Sequence, residues 1–190
     1  SPVRFSDMRR VLANIDRGML PGWHLDLGHL LTIAAHGALG FAVVTAPDLR
    51  TAVNVLLRYF GIRGPFLWTT GVVEGDQFVI RFFESLDMGA QRGILIELAI
   101  LSVQIMLERS AGNELPQARL AFGYPAPDYR ERLEQSFHAS LTFDAAGHSL
   151  RFPNGWLDEH CALYDEAMHR YLLSRCEEDM RAAPGSLTAE

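Results

Sequence analysis

Apolar positions recur at helical spacing over several stretches of the chain. Ser6 is placed to cap a helix over residues 5–17, with Asp7 in its first turn and Met8, Val11, Leu12 and Ile15 along it. Gly18 and Pro21-Gly22 end it, and residues 25–36 give a second helix with Leu27, Leu30, Leu31 and Ala34 on one face. Gly37 and Gly40 then free the backbone where a helix must stop or pack closely. Pro47 suits the first turn of a helix over residues 47–60, Asp48 favours its positive end, and Leu49, Ala52, Val53, Leu56, Leu57 and Phe60 follow its period. Gly61 and Gly64-Pro65 break the pattern.

Strand-favouring residues come next. Residues 66–73 and 78–84 flank Glu74-Gly75-Asp76-Gln77, a hairpin signal whose arms do not alternate cleanly, as expected of a ribbon covered on both faces. Residues 92–109 are apolar nearly all round, which predicts a buried central helix. A strand over 118–124 and a short helix over 128–137 lead to a second hairpin, 140–143 with 148–152, around Asp144-Ala-Ala-Gly147. Residues 158–182 form a long closing helix. The predicted class is α+β: an antiparallel or mixed sheet of about five strands with two hairpins, packed with several helices.

Composition narrows the picture. One substantial core, hence one domain over residues 1–182, is expected of 190 residues at 48% hydrophobic content. No unbroken apolar run reaches the roughly 18 residues of a membrane span, and Ser1-Pro2-Val3-Arg4 lacks the apolar region of a signal peptide. All 17 basic residues are arginine, which excludes Schiff-base, pyridoxal-phosphate and Walker-type lysine chemistry. A net charge of −6 without a basic stretch argues against duplex DNA binding by this chain itself. Cys161 and Cys176 fall within the predicted closing helix, about 22 Å apart if it is continuous and so beyond the roughly 7 Å of a disulfide. Reduced cytoplasmic thiols follow.

Catalytic and cofactor motifs find no support. His24, His29 and His36 fall on different helix faces, as solvated or capping residues rather than metal ligands, and Glu166 with His169 reads as a surface pair. There is no Gly-x-Ser-x-Gly elbow and no Gly-x-Gly-x-x-Gly fingerprint, so no catalytic residue, metal or cofactor is assigned. The informative polar residues are Glu97 and Gln104, seven apart on the apolar helix. A buried carboxylate needs a partner, and Arg81 or Arg58 can supply it. Two readings stay open: a structural ion pair, or a polar anchor in an effector pocket with Tyr59, Trp68, Phe83 and Trp156 as wall. On the closing helix Leu163, Ala167, Tyr171 and Leu172, with Tyr164 and Met168 adjacent, form a stripe that serves either the core or a dimer seam.

One ordered set of motifs is more specific. His36-Gly-Ala-Leu-Gly-Phe-Ala42 is followed by Ala46-Pro-Asp-Leu49 and Arg58-Tyr59, then by Pro125-Ala-Pro-Asp-Tyr129, Leu141-Thr-Phe143, Leu150-Arg-Phe-Pro153, Leu157-Asp158 and Cys176-Glu177. The set resembles the N-terminal effector domain of AraC-type bacterial transcription regulators, in the branch with ornithine- and amino-acid-responsive members; Asp48 stands where that branch usually has Thr. The resemblance implies a small-molecule sensor that pairs as a homodimer through helices near its C-terminal side. It also implies a cytoplasmic protein that reaches DNA only through a separate C-terminal helix-turn-helix domain, no membrane being involved. Residues 183–190 then read as the start of a linker to that domain, and an N-terminal piece present in relatives is expected to be missing. The competing readings are a small α+β enzyme or carrier using the same pocket, and a purely structural dimerisation module.

Overall fold

The computed structural model describes residues 5–31, 33–62 and 66–182. The linker expected at 183–190, the Gly64-Pro65 break and the Ser1–Arg4 start lie outside them. Four helices come first: α1 (Phe5–Asp16), α2 (Trp23–Leu30), α3 (Gly37–Val44) and α4 (Leu49–Tyr59). Strands β1 (Leu67–Glu74) and β2 (Gln77–Glu84) precede the 20-residue α5 (Arg92–Ala111). Then follow β3 (Arg119–Ala121), α6 (Arg130–Ser136), β4 (Ser140–Thr142), β5 (His148–Pro153) and α7 (Glu166–Ala182). The fold is α+β with a five-stranded mixed sheet in the order β1-β2-β5-β3-β4, only β3 and β4 running parallel.

Helix α5 is the axis of the molecule. Ile96, Ile100, Leu101 and Leu107 are fully enclosed, and α2, α3 and α4 pack against it. Gly112 closes it in the left-handed conformation (φ 77°) that favours glycine. The stretch Gly89–Ala111 has the length and apolarity of a membrane span, and 61% of its most apolar window is buried within the domain. Phe78, Ile80, Phe82, Leu150 and Phe152 turn one sheet face to this core. The other face exposes Trp68, Arg81 and Phe83, so the ribbon is not covered on both sides there.

Several local expectations change. The stretch 25–36 divides into the end of α2 and a 3-10 turn, Ile33–His36. The pattern predicts no element over 37–44, yet α3 fills it. A Cβ on Gly40 would lie 2.3 Å from the Ile33 carbonyl oxygen, so this glycine serves close packing rather than a helix stop. Pro47 stands outside α4: Asp48 is the cap, its carboxylate accepting from Thr51 N at 2.7 Å.

The second hairpin does not close on itself. β3 lies between its arms, because α6 returns the chain to β4 parallel with β3. The turn after β4 spends its hydrogen bonds on the end of β3, with Ala145 N donating to Phe122 O and Asp144 N to Tyr124 O, both at 3.0 Å.

The closing helix starts late. A 3-10 turn, Asn154–Asp158, precedes it, and Asp165 caps α7 by accepting from Met168 N at 2.8 Å. Cys161 and Leu163 therefore lie before the helix, and the continuous-helix spacing does not apply to the two thiols. Both are free and buried, and burial pushes each thiol up to about 11. His169 is buried too, its Nδ1 2.9 Å from Ala42 O, rather than forming a surface pair with Glu166.

Candidate functional site

Glu97, Gln104 and Glu108 fall within about 40° of one another around α5, a single polar face on an otherwise apolar helix. α2 and the segment through α6 cover that face. Its two ends differ.

At the N-terminal end Glu97 is completely buried and fully engaged. Its Oε2 lies 2.5 Å from His24 Nε2 on α2. Tyr124 donates to Oε1 at 2.7 Å, and the Tyr129 hydroxyl lies 3.3 Å from both oxygens. Burial, then the charge of Glu97, pushes both phenols above their ordinary range, so they remain donors. His24, expected in solvent or at a cap, is 1% exposed.

The arginines expected to pair with Glu97 are elsewhere. Arg81 pairs with Glu74 across the hairpin, and Arg151 reaches the same carboxylate at 2.6 Å. Arg58 and the Tyr59 hydroxyl both donate to Glu177 on α7 at 2.6 Å. Burial and that carboxylate raise Tyr59 to about 12. Trp68 and Phe83 stack at 4.1 Å on the exposed sheet face, and Trp156 is core against Phe152. Long side chains on the surface find nearer carboxylates, so the seven residues fall into separate groups: Arg58 with Tyr59 at Glu177, Trp68 with Phe83 and Arg81 on the exposed sheet face, and Glu97 and Gln104 on the polar face of α5.

At the C-terminal end Gln104 is 1% exposed. Its Oε1 accepts from His138 N at 3.1 Å, its buried Nε2 has no hydrogen-bond partner among the described residues, and the residue lines a cavity of about 540 Å³. Glu108, one turn on, accepts from Leu115 N at 3.2 Å and lies 3.0 Å from His138 Nδ1. Arg109 and Glu114 add opposite charges, and His29 of α2 closes one side. Ala162 and Leu163, just before α7, close another. A concave space with a few fixed polar groups suits a small ligand, and a buried donor without an acceptor favours one that brings it.

The pattern does not reveal His29, Glu108, Arg109 and His138 as site residues. A signal for Glu108 was present: it stands four residues from Gln104, on the same face.

Known proteins agree with this architecture. Residues 8–161 match the family described as the arabinose-binding N-terminal domain of AraC transcription regulators. The ornithine utilization regulator of Pseudomonas aeruginosa is 27% identical over 157 residues, which cover 83% of this chain and 46% of that protein. The chain thus spans about half the length of that curated relative. The crystal structure of the transcriptional regulator CdpR from Pseudomonas aeruginosa superposes with a TM-score of 0.64 over 95% of this chain and 67% of that one, at 15% identity, a likeness of fold.

Proposed function

Because the chain belongs to the family of arabinose-binding N-terminal domains of AraC transcription regulators, we propose that it is the effector-sensing half of such a regulator, with its effector held at the open end of the α5 polar face. Gln104, whose buried Nε2 has no partner among the described residues and which lines a cavity of both charge signs, carries the reading. Glu108 and Glu114 suit an ammonium group, and Arg109 with the two histidines suits a carboxylate. A small amino acid with a further amine fits that set, and the name of the ornithine utilization regulator makes L-ornithine the first probe. The cavity argues against a purely structural dimerisation module.

Transmission follows from the walls. α2 carries His24 to Glu97 and His29 to the cavity, and Leu163 leads into α7. A ligand that binds one placement of these walls better than another shifts the population, and equal affinity shifts nothing. In the cytoplasm the change would act on DNA through the C-terminal half that regulators of this type carry. With a net charge of −6 this chain alone is expected to leave duplex DNA unshifted in a gel.

Self-association is assigned to Leu163, Tyr164, Ala167, Met168 and Tyr171, which stand exposed. Leu172 is only 8% exposed and belongs to the core, so it leaves the seam.

Thermal unfolding with L-ornithine, L-arginine and putrescine tests the sensing role, since a ligand of the native state raises the midpoint by mass action. The two amino acids are expected to raise it and putrescine, which lacks the carboxylate, to do less. No response to either amino acid would refute this reading of the effector.

A further inference from the structure

A second cavity, of about 280 Å³, lies on the adjoining side of α5, beneath α1. Its chemistry is opposite to that of the first. Met8 and Leu12 of α1, Leu98 and Ala99 of α5, and the rings of Phe60 and Phe66 form its walls, and among the described residues no carboxylate or guanidinium lines it. His36 and Ser102 are its polar lining residues, and the Ser102 hydroxyl already donates to Leu98 O at 2.8 Å.

α1 is held at both ends, and between them Arg9 donates to Asp87 O at 3.5 Å. The Phe5 ring stacks on Phe66 with centroids 6.0 Å apart, and Asp16 accepts from Trp23 Nε1 at 3.0 Å. None of its residues is fully buried, although Phe5, Met8 and Leu12 rest against the core. Protein interiors are otherwise close-packed, and an apolar cavity of about 150 Å³ suffices to hold a benzene ring.

We propose that this cavity is a second binding site, for an uncharged apolar molecule about the size of a fused aromatic or alicyclic ring. Such a ligand would complete the burial of the apolar side of α1 against Leu98 and Ala99. It would be disfavoured in the polar site, where it brings no acceptor for the Gln104 amide. α2 ends between the two cavities, with His29 lining the polar one and Leu31 the apolar one. The assignment does not depend on the identity of the polar effector.

Methyl-labelled chain titrated with indole, and separately with cyclohexanol, tests it by nuclear magnetic resonance. Saturable binding is expected, with intermolecular contacts from indole to the methyl groups of Leu12, Leu98 and Met106. Ala99→Phe places a ring in the cavity and should weaken indole at least about tenfold, since two groups cannot share one close-packed volume. Gln104→Leu, on the other side of α5, should leave indole affinity within about twofold. The proposal is overturned if neither probe binds saturably up to its solubility limit, or if the contacts map outside this cavity. Unchanged affinity in folded Ala99→Phe also overturns it. Should that variant fail to fold, the contact map on the unsubstituted chain decides the question alone.

Discussion

Glu97 and Gln104 occupy one face of one helix, both enclosed, yet they stand in opposite conditions. Each oxygen of Glu97 has a partner, from α2 and from the two tyrosines, and the group ties three parts of the chain together. Gln104 has one bond made, a buried Nε2 without a partner among the described residues, and a place in the lining of a cavity. Polarity inside an apolar helix does not by itself mark a site. His24 Nδ1, beside Glu97, is also buried without a hydrogen-bond partner among the described residues, so what distinguishes the Gln104 end is the cavity that this residue lines.

The contrast predicts its largest effect at Glu97. Glu97→Ala removes the shared acceptor of His24, Tyr124 and Tyr129 and should cost about 3–5 kcal/mol in chemical denaturation. Gln104→Leu leaves only His138 N without its acceptor and should cost about 1 kcal/mol. Equal losses would break the comparison.

The same contrast recurs on α7. Leu172→Glu drives a charge into the core and should unfold the chain, whereas exposed Tyr171→Glu should lower the dimer fraction in sedimentation while circular dichroism stays unchanged. A dimer untouched by Tyr171→Glu places the association surface elsewhere.

Gly28 separates the two ends. A Cβ there would come within 2.6 Å of Leu101 Cδ2, so Gly28→Ala should cost about 1–3 kcal/mol unless Leu101 rotates away. A stabilised Gly28→Ala would show that α2 is not seated as closely as both ends require.

Acid gives the smallest effect. His148 packs beside Tyr124, and burial lowers its proton affinity below the ordinary 6.5 although Glu84 opposes this. The unfolded chain then takes up the proton first, so this contribution is present above 6.5 and is lost as pH falls below it. His148→Gln should flatten denaturation midpoints between pH 7 and 5; an unchanged profile would refute that assignment.

Local signals made much of the fold legible. The apolar stripe of α4, the turn between β1 and β2 and the all-round apolarity of α5 are properties of neighbouring residues, and they formed as expected. What depends on distant residues was not legible. Gly40 reads as a break until Ile33 is placed against it, and nothing within residues 140–152 reveals that β3 enters between the arms. Glu97 and Gln104 stood out as enclosed polar groups, but the carboxylate took its partner from position 24 rather than from an arginine. The fold brings α2 and the two tyrosines over Glu97, a choice the spacing of charges along the chain does not encode.

The most direct test is calorimetric titration of L-ornithine into the unsubstituted chain and into Gln104→Leu. Saturable binding to the first, weakened at least about tenfold in the second with its fold intact, is predicted from the loss of a buried donor. Binding of equal affinity to both, or no binding to the unsubstituted chain, would contradict the assignment of the open end of α5 as the effector site.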